Sequence, residues 1–105
     1  KGKNAIKIIA LSPPNSAAAG ALTAVRVPHT IPAHLGEQLV HVTLKDGNGK
    51  RIERKVIKAA GKGTLDVTFE VPQNVPGGKI SFAAFIGNDY PGRLQHLASA
   101  PIPLK

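Results

Sequence analysis

The chain has 105 residues, of which 42% are hydrophobic and 19% charged, with fourteen Lys and Arg against six Asp and Glu for a net charge of +8. This balance fits one globular domain and excludes an intrinsically disordered chain. The absence of Cys excludes disulfides and thiolate chemistry. No apolar stretch approaches the roughly 20 residues of a membrane-spanning helix, so we expect no membrane span.

The termini suggest a processed or excised unit. The first residue is Lys1, and the sequence contains no Met. The tail, Pro101-Ile102-Pro103, is typical of a segment that joins a neighbour. We therefore expect residues 1–105 to be a single module excised from a larger protein.

The first part of the chain predicts two strands and a crossing segment. An apolar run over 5–11 predicts the first strand, and alternation over 21–27 predicts the second, which we expect Pro28 to end. Residues 29–36 contain two histidines and a further proline, so we expect them to cross irregularly. The alanines of 16–20 are too few for a helix and predict a loop.

A hairpin follows. Residues 38–45 predict the third strand, with Val40, Val42 and Leu44 on the core side. The sequence Asp46-Gly47-Asn48-Gly49 predicts a tight turn, because Asn and Gly adopt positive φ readily. A fourth strand is predicted over 50–59, where the alternation is interrupted, and we expect a β-bulge near Lys55.

The clearest alternation in the chain lies over 64–71, which predicts a fifth strand with one buried face. A sixth strand is predicted over 79–86, a short one over 94–99, and a last one around Ile102 and Leu104. The core side chains expected from the fifth and sixth strands are Leu65, Val67, Phe69, Val71, Ile80, Phe82, Ala84 and Ile86.

About seven short strands in this length predict an all-β fold, an antiparallel β-sandwich of the immunoglobulin-like or fibronectin type III shape. A small barrel is the competing architecture.

Positive charge concentrates in the fourth strand and its flanks. The candidate basic patch consists of Lys50, Arg51, Arg54, Lys55, Lys58 and Lys62. Such a cluster attracts polyanions, although lysines also protect an edge strand from pairing with other chains. Binders of single-stranded nucleic acid interleave aromatic residues with the charge, and 45–62 contains none, so we do not expect nucleic acid as the partner.

No catalytic signature stands out. The four histidines lack metal-ligand spacing, the acidic residues do not pair, and no Gly-x-Ser-x-Gly motif is present. We expect no enzyme activity, no catalytic residues, no metal site and no cofactor.

A polar loop near the C-terminus is the candidate ligand-binding site, because binding groups concentrate on loops of rigid scaffolds. Its candidate residues are Asn88, Asp89, Tyr90, Arg93, Gln95 and His96. The Tyr90 ring could stack on the apolar face of a sugar, and the polar side chains beside it could form hydrogen bonds with the hydroxyls. The alternative is that Tyr90 packs on the sandwich end while Asn88 and Asp89 form an Asx turn.

Residues 79–104, with Phe82-Ala83-Ala84-Phe85, Asn88-Asp89-Tyr90 and Leu94-Gln95-His96-Leu97, resemble the immunoglobulin-like accessory modules of secreted bacterial polysaccharide-degrading enzymes. The resemblance implies a secreted or cell-surface location, and a polysaccharide or a neighbouring catalytic domain as partner. We expect a non-catalytic carbohydrate-binding module, for an acidic polysaccharide given the charge. The alternative is a structural spacer or protein-interaction domain without a ligand.

Overall fold

Two antiparallel sheets are formed by residues 8–87 and 94–105, the parts of the chain that the computed structural model describes. The strands are β1 Leu22–Thr30, β2 Gln38–Asp46, β3 Arg51–Ala59, β4 Lys62–Glu70, β5 Lys79–Ile86, β6 Gln95–Ala98 and β7 Ile102–Pro103. The first sheet pairs β1 with β4, and the second has the order β3-β2-β5-β6, with β7 also paired to β5. Short 3-10 turns occupy Ala33–Leu35 and Pro76–Gly78.

The two sheets bury their facing sides against each other, so the predicted β-sandwich is confirmed. The alternating apolar residues of β2, β4 and β5 enter one core, as the sequence predicts. Val40, Val42 and Leu44 are fully buried. Phe69 of the first sheet meets Phe82 of the second with ring centroids 5.9 Å apart. Burying such side chains is the main force that holds two sheets together.

Strand β1 does not end before Pro28, and this prediction is wrong. The strand continues to Thr30, with Pro28 paired opposite Thr64 of β4. The N–H groups of Arg26 and Thr30 donate to the carbonyls of Ser12 and Ile8, on the side away from β4. Since backbone direction alternates, the nitrogen of Pro28 faces that same side. The missing N–H therefore leaves the β1–β4 ladder intact.

The segment before β1 contributes to the core without forming a regular strand in its described part. Ile8 and Ile9 are both buried, and isolated bridges join Ile9 to His29 and Ser12 to Arg26. Residues 5–7 of the predicted first strand lie outside the described residues.

The β2–β3 hairpin is confirmed, but its β-bulge is not where the sequence suggested. Leu44 pairs with Glu53 and Lys45 with Arg51, so the register shifts at this point, near the turn. Lys55 pairs regularly with Val42, which places it on the core side of its strand. The interrupted alternation thus reflects a charged residue on the inner face, not an extra residue at Lys55.

Side chains of the second sheet bridge both lateral edges of the sandwich. At one edge the Lys55 ammonium donates to the carbonyl of Thr68 and lies 5.3 Å from the Phe69 ring centroid. At the other edge Gln95 of β6 holds the segment before β1. Its Oε1 accepts the N–H groups of Ile8 and Ile9 at 2.7 and 2.8 Å, and its Nε2 donates to the Ile9 carbonyl at 3.0 Å.

Candidate functional site: a cationic groove on the second sheet

The strand register assembles one surface from four strands of the second sheet. Residues directly opposite each other on paired strands share a face. Thr43 is opposite Arg54 on β3 and Ala83 on β5, and Phe85 of β5 is opposite His96 of β6. These positions alternate along each strand with the positions that face the core, so their side chains point away from the core. This surface, which we call the cationic face, comprises Leu39, His41, Thr43, Lys45, Arg51, Arg54, Val56, Lys58, Lys79, Ser81, Ala83, Phe85, His96 and Ala98.

A groove of about 540 Å³ lies on the cationic face. Its floor is formed by Thr43, Ala83 and Phe85, which are only 8%, 6% and 8% exposed although they point away from the core. Long side chains stand around them. The groove is lined by Thr43, Lys45, Lys50, Arg51, Arg54, Ala83, Phe85 and His96.

The groove is positively charged because pairing of β2 with β3 brings their cations together. Lys45 lies directly opposite Arg51, and Lys50 and Arg54 line the same groove. No Asp or Glu occupies a strand position of this face within residues 8–87 and 94–105. Unbalanced charges of one sign along a concave surface concentrate anions there.

The turn between β2 and β3 positions Lys50, one of the cations that line the groove. The buried Asp46 carboxylate accepts the backbone N–H of Asn48 at 2.8 Å and that of Lys50 at 3.0 Å. Gly49 has φ of +82°, which favours glycine, and its N–H donates to the Asp46 carbonyl. The Asp46 carboxylate thus holds the turn that carries Lys50.

His41 stands beside the groove floor. Its ring stacks on Phe85 with centroids 4.1 Å apart and planes 11° apart. Both ring nitrogens are buried, and neither has a hydrogen-bond partner among the described residues. Burial lowers the pKa of His41, and the positive charge of Arg54 lowers it further. The nearby backbone of Gly87 raises the pKa of His41, although it does not reach hydrogen-bonding geometry with the ring, and this effect is smaller than the other two.

The structure divides the candidate basic patch among three surfaces. Lys50, Arg51 and Arg54 line the groove. Lys58 lies on the cationic face, opposite Leu39 and outside the groove lining. Lys55 faces the core side at the sandwich edge, and Lys62 begins β4 in the first sheet. Proximity in the sequence therefore brought only part of the patch together.

Of the candidate ligand-binding residues, the structure describes two. His96 lines the groove, where it meets the cations of the basic patch. Gln95 is opposite Ile86, on the inner side of the sheet, and its carboxamide bonds to the backbone of Ile8 and Ile9. The other candidates lie outside the described residues: Asn88, Asp89, Tyr90 and Arg93.

The sequence reasoning did not select the residues of the groove floor. Ala83 and Phe85 lie on the outward side of β5, between the predicted core residues, and no motif in the sequence assigns them a function. Single apolar residues at outward positions are often exposed, as Leu22 and Val56 are at 73% and 49%. The sequence alone therefore does not show that Phe85 is buried.

Other kinds of site receive no support from the described part of the chain. It contains no group of three or more His, Cys, Asp or Glu side chains placed to hold a metal ion. None of its helices is long and apolar enough to cross a membrane.

The sequence matches no model of a known protein family, and no curated protein sequence matches it. The groove is therefore the main indication of function.

Proposed function

We propose that the chain is a non-catalytic module that binds an acidic polysaccharide in the groove of the cationic face. The observation that carries this proposal is the concentration of Lys45, Lys50, Arg51 and Arg54 around one concave surface. Guanidinium groups bind carboxylates and sulfates with paired hydrogen bonds, and ammonium groups add charge without fixed geometry. A repeating anionic polymer would contact several of these cations at once.

The groove floor favours a polysaccharide over a nucleic acid. Proteins that bind single strands offer aromatic faces on which bases stack. Phe85 is the aromatic residue of the groove lining, yet it is 8% exposed and stacks on His41. The groove instead offers cations, the Thr43 hydroxyl and the His96 imidazole, which suit carboxylate, sulfate and hydroxyl groups.

The same proposal includes the biological setting that the resemblance implies. A module of this kind would hold a catalytic domain of the same chain against its polymer, at the cell surface or after secretion. The alternative function is a spacer without a ligand.

Affinity electrophoresis in gels that contain dextran sulfate, polygalacturonate or neutral dextran tests the proposal. At low salt we expect both anionic polymers to retard the protein and neutral dextran to leave its mobility unchanged. Salt should weaken the retardation, because exposed charges are screened. A protein that no anionic polymer retards would refute the proposal and support the spacer. Binding to single-stranded DNA that survives high salt would favour a nucleic acid.

A pair of double variants separates a specific groove from diffuse net charge. Arg51→Gln with Arg54→Gln removes two groove cations, and Arg26→Gln with Lys62→Gln removes two from the first sheet. We expect the groove variant to bind dextran sulfate about tenfold more weakly, a difference of about 1.4 kcal/mol. The control should stay within about twofold. Equal losses in both variants would contradict a specific site.

A further inference from the structure

We propose that His41 makes anion binding at the groove dependent on pH: it takes up a proton when a polyanion occupies the groove, and binding strengthens as pH falls. This inference rests on the proposed function and adds regulation of the same site.

Two geometric observations support it. The His41 ring is stacked on Phe85, a residue of the groove floor, so the imidazole contacts a side chain that lines the groove. Both of its nitrogens are buried with no described hydrogen-bond partner, so no described contact fixes its protonation state. The charge of an anionic polymer in the groove would act on this imidazole without direct contact, because charges in poorly solvated surroundings are weakly screened.

The charged groups around His41 are cations. On β3 the residue opposite is Val56, flanked on the same face by Arg54 and Lys58. On β5 the residue opposite is Phe85, and the next outward strand position, Ala83, is not titratable. His96 of β6 follows on the far side of Phe85. No described carboxylate faces His41 from these strands.

The sign of the effect follows from these neighbours. In the free protein, burial and Arg54 lower the pKa of His41 below its ordinary value of 6.5, so the ring is neutral at pH 7. A polyanion beside Arg54 offsets that positive charge, and the pKa of His41 rises. The bound state then holds more protons than the free state in the interval between the two pKa values. Binding is therefore tighter on the acidic side of this interval.

The coupling is reciprocal, because a ligand that favours the proton is favoured by it to the same extent. A rise of one pKa unit on binding corresponds to a tenfold gain in affinity. His41 is one charge among several, so we expect a gain of about fivefold between pH 8 and pH 5, within the range of a single partly buried charge.

Calorimetric titration with dextran sulfate from pH 8 to pH 5 tests the inference, because sulfate esters keep their charge over this range. The unmodified protein should bind about fivefold more tightly at pH 5. His41→Phe keeps a ring against Phe85 but cannot titrate, and we expect its affinity to vary little with pH. The matched control His34→Phe replaces an exposed histidine outside the groove, and it should keep the pH effect. A pH effect that persists at full size in His41→Phe would overturn the inference.

An independent measurement uses the unmodified protein, so it does not depend on whether a variant folds. The NMR titration of the His41 ring proton should move to higher pH when short dextran sulfate chains are added. An unchanged midpoint in a protein that still binds the polymer would overturn the role of His41 and leave the proposed function standing. If dextran sulfate does not bind at any pH, both proposals fail.

Discussion

The two outer faces of the sandwich differ in how their charges are arranged. On the first sheet, cations and carboxylates are mixed on the outward face. Arg26 is directly opposite Asp66, with Nε and Oδ1 3.2 Å apart, and the Lys62 and Glu70 side chains of β4 also point outward. This face carries equal numbers of each sign at its strand positions.

The second sheet has the opposite arrangement. Its outward strand positions carry five cations and, where described, no carboxylate: Lys45, Arg51, Arg54, Lys58 and Lys79. Among the described strands, Asp66 and Glu70 lie on the first sheet, and Asp46 and Glu53 lie at inner positions of the second. The positive charge of these strands is therefore concentrated on one face, where the register leaves it uncompensated.

The largest difference in stability between the two outer faces should appear when an apolar residue of each face is truncated. Phe85 is 8% exposed on the cationic face, whereas Leu22 is 73% exposed on the first sheet. We expect Phe85→Ala to lower the free energy of unfolding by about 3 kcal/mol, because it leaves a cavity beside His41. Leu22→Ala should cost less than about 0.5 kcal/mol.

Denaturant unfolding of both variants gives these free energies. Similar losses of unfolding free energy for Phe85→Ala and Leu22→Ala would mean that the apolar residues of the two outer faces are packed alike.

An intermediate effect concerns His41 and the pH dependence of stability. The pKa of this residue is lowered in the folded protein relative to 6.5, so the unfolded chain binds the proton more readily. Its contribution to stability is therefore complete above about pH 6.5 and decreases as pH falls through the interval below that value. Thermal unfolding from pH 8 to pH 5 should show a smaller loss of stability in His41→Phe than in the unmodified protein.

The control for that measurement is His34→Phe, at an exposed position in the turn after β1. It should leave the pH profile unchanged. Parallel profiles for the unmodified protein and His41→Phe would refute a buried, neutral His41.

The smallest effect should come from the ion pair on the first sheet. The Arg26 and Asp66 side chains are 72% and 66% exposed, and exposed pairs contribute about 0.2–1 kcal/mol before salt screening. A double-mutant cycle with Arg26→Ala and Asp66→Ala should give a coupling of about 0.3 kcal/mol that decreases with added salt. A coupling above about 1.5 kcal/mol would show that this face is not merely charge-balanced surface.

The parts of the fold that were predictable are those where each strand buries one face. The alternation in β4 and β5 identified Val67, Phe69, Ile80 and Phe82 as core residues, and all are buried. Here hydrophobicity alone determines which side faces inward, and a period of two is enough to show it.

The remaining features depend on contacts between segments distant in sequence. Pro28 fits inside β1 because its nitrogen faces residues 8–12, and Lys55 is tolerated on the inner face because Thr68 lies across the sandwich edge. The groove likewise needs β2, β3, β5 and β6 to be neighbours. Composition indicated a basic patch, but only the pairing register separates Arg54 from Lys55.

The bridges made by Lys55 and Gln95 have a consequence for how copies of this protein behave at high concentration. Uncovered sheet borders invite addition of a foreign strand, which is how many β-proteins begin to polymerise. At one border the Lys55 ammonium donates to the backbone carbonyl of Thr68. At the other border the Gln95 amide holds the backbone of the segment before β1. A strand that adds beside β4 would have to displace the Lys55 ammonium from Thr68, and one that adds beside residues 8–9 would have to displace the Gln95 amide. We therefore expect each contact to hinder growth into fibrils at its own border.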